Sequence, residues 1–202
     1  MPSRIFSRRS FMATTFCALG VSLAPAPLLA LSEARARSLV DAVVAEINRV
    51  IASGKGEAAM LRDFENIFVR YADVPTIARY ALGVDARRAS GAQLSAFTKA
   101  FQGYISKKYG RRFREFIGGK IEVKTARPIK AGYEVRTTAY LSGQAPFEVV
   151  FLVSDKSGKD KFFNMFIEGV SLLQTERTEM GAMLDKRKGN IDQLIADLSK
   201  IG

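Results

Sequence analysis

Residues Phe162–Met180 read FFNMFIEGVSLLQTERTEM, and the fold turns on how they are read. The segment opens as a strand, with Phe163, Met165 and Ile167 on one face and Phe162, Asn164 and Phe166 on the other. Glu168-Gly169 breaks the alternation, and a glycine can take the backbone angles that a corner requires. Helix-forming residues resume with Leu172, Leu173, Glu176, Glu179 and Met180.

Upstream, three more strands share the period of two. Ile121, Val123 and Thr125 alternate with Glu122 and Lys124, and Tyr133, Val135, Thr137 and Ala139 alternate with charged or polar residues. Phe147, Val149, Phe151 and Val153 follow, then a turn at 154–159. Four strands joined by short turns predict an antiparallel meander.

Before the strands the period is helical. Ser32 caps a helix to about Ala52, a second spans about Glu57–Tyr71, and Asp73-Val74-Pro75 starts a short one that Gly83 stops. Residues 84–89 read as a connection. Ser90 opens the longest helix, to about Ile117, with Leu94, Phe97, Phe101, Tyr104, Ile105, Tyr109, Phe113 and Phe116 at threes and fours. Two helices close the chain, about Leu172–Lys186 and Ile191–Lys200, with Gly189 between them and Asn190 as cap. Helices, then strands, then helices predict an α+β fold with helices on one face of a curved antiparallel sheet of about four strands.

The first 30 residues read as an export signal. Ser7-Arg8-Arg9-Ser10-Phe11-Met12 resembles a twin-arginine motif, and the uncharged run Phe11–Ala24 is shorter than the roughly 20 residues a bilayer span needs. Cleavage is expected after Ala30, with Ala36 a second site, which leaves one domain over residues 31–202 in the periplasm. Cys17, the only cysteine, lies in that signal, so no disulfide is expected in the mature chain. The formal charge is +11, and Arg4, Arg8 and Arg9 leave +8 for residues 31–202. The densest basic run holds Lys107, Lys108, Arg111, Arg112 and Arg114. An export signal speaks against nucleic acid, so the run is either a solvated helix face or a contact surface for an anionic membrane or acidic partner.

The chain has no histidine, which removes the usual Ser-His-Asp and Cys-His nucleophiles, and carboxylates alone are a poor zinc set. Ser53-Gly54-Lys55-Gly56 is no phosphate loop, since Arg49 stands where its first glycine belongs. Glu168 beside Asn164 is the one place for acid–base chemistry; a structural ion pair of Glu168 with Arg177 is the plainer expectation. No metal, cofactor or catalytic activity is expected. Fourteen Phe and six Tyr, with no Trp, favour binding, although such stripes by themselves fit a filled core equally well.

Ile167-Glu168-Gly169-Val170-Ser171-Leu172 followed by Arg177 resembles the MlaC-type (toluene-tolerance) periplasmic phospholipid shuttles of the Mla pathway. Ile77-Ala78-Arg79, Leu82-Gly83 and the set Gln93, Phe97, Phe101, Tyr109 and Phe113 extend the resemblance, which spans roughly Leu39 to Leu198. The sequence departs from that pattern at Asn164, where Asp is usual, at Thr175-Glu176, where Asn-Tyr is usual, and in lacking a Trp near Asp160.

The resemblance implies a cone-like fold around an apolar pocket, similar to nuclear-transport-factor-2-like proteins. It implies a monomeric phospholipid carrier moving between an inner-membrane ATP-driven (ABC-type) complex and an outer-membrane lipoprotein complex. The pocket is then expected from Phe97, Phe101, Tyr104, Ile105, Tyr109, Val135, Val149, Phe151, Met165, Ile167 and Leu172, with Glu168, Gly169 and Arg177 as motif residues. A carrier of another lipid such as a hopanoid, a periplasmic lipid-modifying enzyme and a basic interaction module with a solid core remain alternatives.

Overall fold

The computed structural model describes residues 30–112 and 117–201, the side chain of Arg112 excepted. Expectations for residues 1–29, for Phe113, Arg114 and Phe116 and for the Arg112 side chain lie outside the described residues.

The described chain forms α1 (Glu33–Ile51), α2 (Glu57–Tyr71), α3 (Val74–Leu82), a 3-10 turn (Gly83–Arg87) and α4 (Gly91–Arg112). Strands β1 (Lys120–Ile129), β2 (Gly132–Tyr140), β3 (Phe147–Ser154), β4 (Lys161–Ile167) and β5 (Val170–Ser171) follow. Helices α5 (Leu172–Asp185) and α6 (Ile191–Ile201) end it. The expected α+β order holds, and the helix boundaries follow local chemistry. Ser32 Oγ accepts from the Arg35 amide, Asp73 from Thr76 and Asn190 from Gln193, each satisfying an N-terminal donor.

The sheet is a curved, unclosed antiparallel meander in the order β1-β2-β3-β4-β5, one short strand more than the four expected. That fifth strand exists because Glu168 and Gly169 both take left-handed angles, φ 50° and 79°, and make a two-residue hairpin that sets Val170 against Ile167. Ser171 then caps α5 through the Gln174 amide. The strand-to-helix corner read from the sequence is therefore a hairpin whose second arm runs straight into a helix.

Two bulges shift the face assignments made from alternation alone. In β1 the register slips between Val123 and Thr125, so Lys124 is the extra residue and Ala126, opposite Val135, turns inward in place of the exposed Thr125. In β4 the slip leaves Phe163 as the extra residue: Met165 pairs with Phe151, while Phe162 pairs with Val153. Phe162 thus shares the inner face with Met165. It is buried, with its ring edge-on to Phe151 at 5.6 Å.

The core lies between this inner face and the helices. Helix α1 runs across β1–β3, where the Asn48 amide bonds both N–H and C=O of Ile121 at 3.0 Å and mimics a strand partner. Arg35 clamps Asp160 through two bonds of 2.9 and 2.7 Å. Helix α4 would lie against the inner strand face if Phe101, Tyr104 and Val149 lined one pocket, as expected. It packs instead on α2, α6 and α3, and Phe97 and Phe101, both fully buried, stack on each other at 5.6 Å. The reason is that α1 already covers the sheet, so the aromatic stripe of α4 finds helical partners. Close approach of α4 to α2 needs Gly110: a Cβ there would lie 2.4 Å from Leu61 Cδ2.

Candidate functional site

Where the helical layer leaves β4, a cavity remains. Val43 and Ile47 of α1, Phe64, Ile67 and Phe68 of α2, and Ile77 of α3 line one side. Ile105, Ser106, Tyr109 and Gly110 of α4 and Leu172, Leu173 and Glu176 of α5 line the other. Phe151 and the run Phe162–Met165 of the sheet complete it. Its empty space is about 810 Å³ counting the open mouth, of which about 120 Å³ is wide enough for the centre of a water-sized sphere. A mostly apolar concavity of this order is the usual form of a small-ligand site.

The residues expected at a pocket divide in two. Ile105, Tyr109, Phe151, Met165 and Leu172 line the cavity. Phe97, Phe101, Tyr104, Val135, Val149 and Ile167 do not; the first five are buried in the filled core and Ile167 packs against it. The physical reason is the docking of α4. Its cavity-facing surface begins at Ile105, and the residues before it are taken up by neighbouring helices. The α1 and α2 residues escaped sequence reading because nothing in their spacing separates a helix face against a void from one against a neighbour. Phe162 and Asn164 were in view, but the bulge at Phe163 hid their place. Glu176 was visible only as a helix former.

Among the described residues Glu176 is the one charged residue on the cavity wall, and it is 2% exposed. Its Oε1 accepts from Tyr109 OH at 2.5 Å and from Lys108 Nζ at 2.8 Å. Lys108 also bonds Glu179, which accepts from Tyr104 OH at 2.5 Å. Five side chains therefore join α4 to α5 beside the cavity. Burial and the Glu176 bond push the Tyr109 hydroxyl pKa up, and burial with the Glu179 bond does the same at Tyr104. Burial alone would lower Lys108, yet its bonds to the two carboxylates outweigh that and hold its ammonium above the usual value. For Glu179, burial is likewise outweighed by Lys108 and Tyr104, which lower its pKa.

This corrects the reading of the basic run: Lys108 faces Glu176 and Glu179 rather than a partner. Arg111 is exposed and Lys107 half-buried on the same helix. The Glu168–Arg177 pair does not form. Glu168 is exposed at the hairpin tip, while the Arg177 guanidinium lies 5.0 Å from the centre of the Tyr80 ring and fills the space beside Gly83. The reason lies in the helix: α5 carries Arg177 toward α3, away from the hairpin. Asn164 is not a partner for acid–base chemistry at Glu168. Its Oδ1 accepts from the Met165 and Leu173 amides and its Nδ2 donates to Ser171 Oγ, which fixes the start of α5.

Among the described residues no group of three His, Cys, Asp or Glu side chains is placed to hold a metal, and no helix is long and apolar enough to cross a membrane. A family model described as MlaC protein matches residues 37–200. Among solved structures the chain is similar to a phospholipid-binding protein from Ralstonia solanacearum, solved in complex with a phospholipid. The two share 18% identity and a TM-score of 0.70, over 82% of this chain and 96% of that one. At that identity the likeness establishes the fold.

Proposed function

Because this chain belongs to the MlaC family, we propose that it binds the acyl chains of a phospholipid in the cavity beside β4 and carries that lipid through the periplasm. The observation that carries the reading is the cavity itself: a mostly apolar cleft walled by α1, α2, α3, α4, α5, β3 and the bulged β4. The likeness to a protein solved with a phospholipid supports the same ligand class. Binding and transport, rather than turnover, fit a wall on which the one charged side chain among the described residues is tied to Tyr109 and Lys108.

The energetics set what such a carrier must do. A two-tailed lipid has roughly 30 methylenes, each worth about 0.8 kcal/mol between water and hydrocarbon, on the order of 25 kcal/mol in all. Tails left half covered would make carriage through water prohibitive, so the cleft widens around them as they enter. A pocket that bound more tightly than a bilayer would never unload. Transfer is therefore close to thermoneutral, and membrane complexes supply direction: an inner-membrane ATP-driven complex on one side and an outer-membrane lipoprotein assembly on the other. The address is carried by Arg8-Arg9, and precursor retained in the cytoplasm after both are changed to lysine is the signature of that route.

The test is transfer between vesicles. The mature protein is expected to speed movement of a labelled diacyl phospholipid from donor to acceptor vesicles in proportion to protein concentration, without releasing lysolipid or fatty acid. No acceleration overturns the carrier, and time-dependent fatty acid release turns the reading to an enzyme.

A further inference from the structure

Two buried polar atoms on the cavity residues have no hydrogen-bond partner among the described residues: Ser106 Oγ and Glu176 Oε2. Their residues are 7% and 2% exposed. The neighbours do not account for them. Tyr109 OH and Lys108 Nζ both go to the other carboxylate oxygen, Oε1, and Lys108 is shared with Glu179. A carboxylate oxygen enclosed by apolar groups without a donor costs free energy, and the same holds, less severely, for a hydroxyl. A wall built only for hydrocarbon tails has no use for either group.

The charge of the cluster narrows what could satisfy it. Among the described residues of the cluster two carboxylates, Glu176 and Glu179, face one ammonium, Lys108, which leaves a net charge of −1. A phosphate or carboxylate is repelled from such a spot, while a cation or a neutral donor is drawn to it. Both unpartnered atoms accept hydrogen bonds, and only the hydroxyl can also donate. The complement is therefore a donor carried in by the ligand.

Resting on the carrier reading, we infer that the cavity selects lipids that bring a hydrogen-bond donor inside, a head-group primary ammonium or a chain hydroxyl, accepted by Glu176 Oε2 with Ser106 Oγ as a second acceptor on the same wall. As the lipid enters and the cleft widens, its donor replaces the missing partner. The tails occupy the apolar remainder along Phe64, Ile105, Phe162 and Met165.

Delipidated mature protein is incubated with vesicles holding equal amounts of two lipids, re-isolated, and its bound lipid quantified by mass spectrometry. One pair is phosphatidylethanolamine against phosphatidylcholine of identical chains, which differ in N–H donors. The other is phosphatidylcholine with a hydroxylated chain against its plain counterpart. A donor to a charged acceptor predicts about tenfold preference for the donor-bearing lipid in at least one pair, and that pair identifies the donor's source.

Glu176→Gln removes the charge and is expected to bring the ratio toward one. Ser106→Ala, which leaves the Lys108 bonds in place, is expected to reduce it by a smaller factor and serves if the first variant does not fold. Equal loading within both pairs overturns the inference, as does a preference that survives the substitutions; water then satisfies the two atoms. Failure of every lipid to load overturns the carrier reading beneath it.

Discussion

Filling the void with a side chain separates a hollow site from a solid core. Ile105 lines the cavity and is nearly buried on α4, whereas Val149, on β3, is 4% exposed and does not line it. Treated as a closed apolar cavity, the roughly 120 Å³ at about 24 cal/mol per Å³ sets an upper bound of about 3 kcal/mol on the cost to the lipid-free protein, since the cleft opens at its mouth. Ile105→Trp places its added bulk in that void, so in delipidated protein it is expected to be neutral or to recover part of those ~3 kcal/mol. Val149→Trp forces the same bulk into packed core and is expected to cost about 1–3 kcal/mol. At about 2–4 °C per kcal/mol for a domain of this size, the two variants should differ in Tm by several degrees, with Ile105→Trp higher. Thermal unfolding by circular dichroism measures that difference, and lipid loading measured alongside should fall for Ile105→Trp while Val149→Trp keeps it. Equal destabilisation of the two variants, with loading untouched in both, would refute the hollow site.

Two further outcomes follow from the cluster beside the cavity. Lys108→Ala leaves the Glu176 carboxylate buried without its cation and is expected to cost about 3–5 kcal/mol in chemical denaturation; Arg177→Ala, which removes exposed contacts over Tyr80 and beside Gly83, should cost about 1 kcal/mol or less. Comparable losses would mean that Lys108 contributes no more than a surface residue. Acid should weaken the same cluster: Glu179 is held below its ordinary 4.5, so its contribution is present above that pH and lost as pH falls through the lower folded value. The drop in Tm from pH 5 to pH 3 should therefore be smaller in Glu179→Gln than in the wild type, and an identical drop would remove Glu179 from the account.

Much of the architecture was legible because it is written locally. Ser32, Asp73 and Asn190 cap helices through bonds three residues long, and the Glu168-Gly169 corner is a two-residue turn. What escaped depends on partners far along the chain. The bulges at Lys124 and Phe163 show only when a neighbouring strand fixes the register, and each reverses which side chains face inward. The stripe from Phe97 to Tyr109 covers more than one face of α4, and its spacing is silent on which face meets α6 and which meets the void. Lys108 sits in a basic run that looks like surface, yet its partners Glu176 and Glu179 lie 68 and 71 residues away. The expected pocket residues on β3, β4, α4 and α5 reach the cavity wall only in part and Val135 on β2 not at all, while the α1, α2 and α3 walls were absent and the expected centre lay about a turn too early along α4.

The central claim is that the void beside β4 holds lipid. Native mass spectrometry of the mature protein, purified from cells without added lipid, tests it most directly. The account predicts a bound mass that organic extraction identifies as a diacyl phospholipid, and the loss of that mass in Ile105→Trp. A clean apo mass from gently purified wild-type protein, unchanged after incubation with phospholipid vesicles, would contradict it.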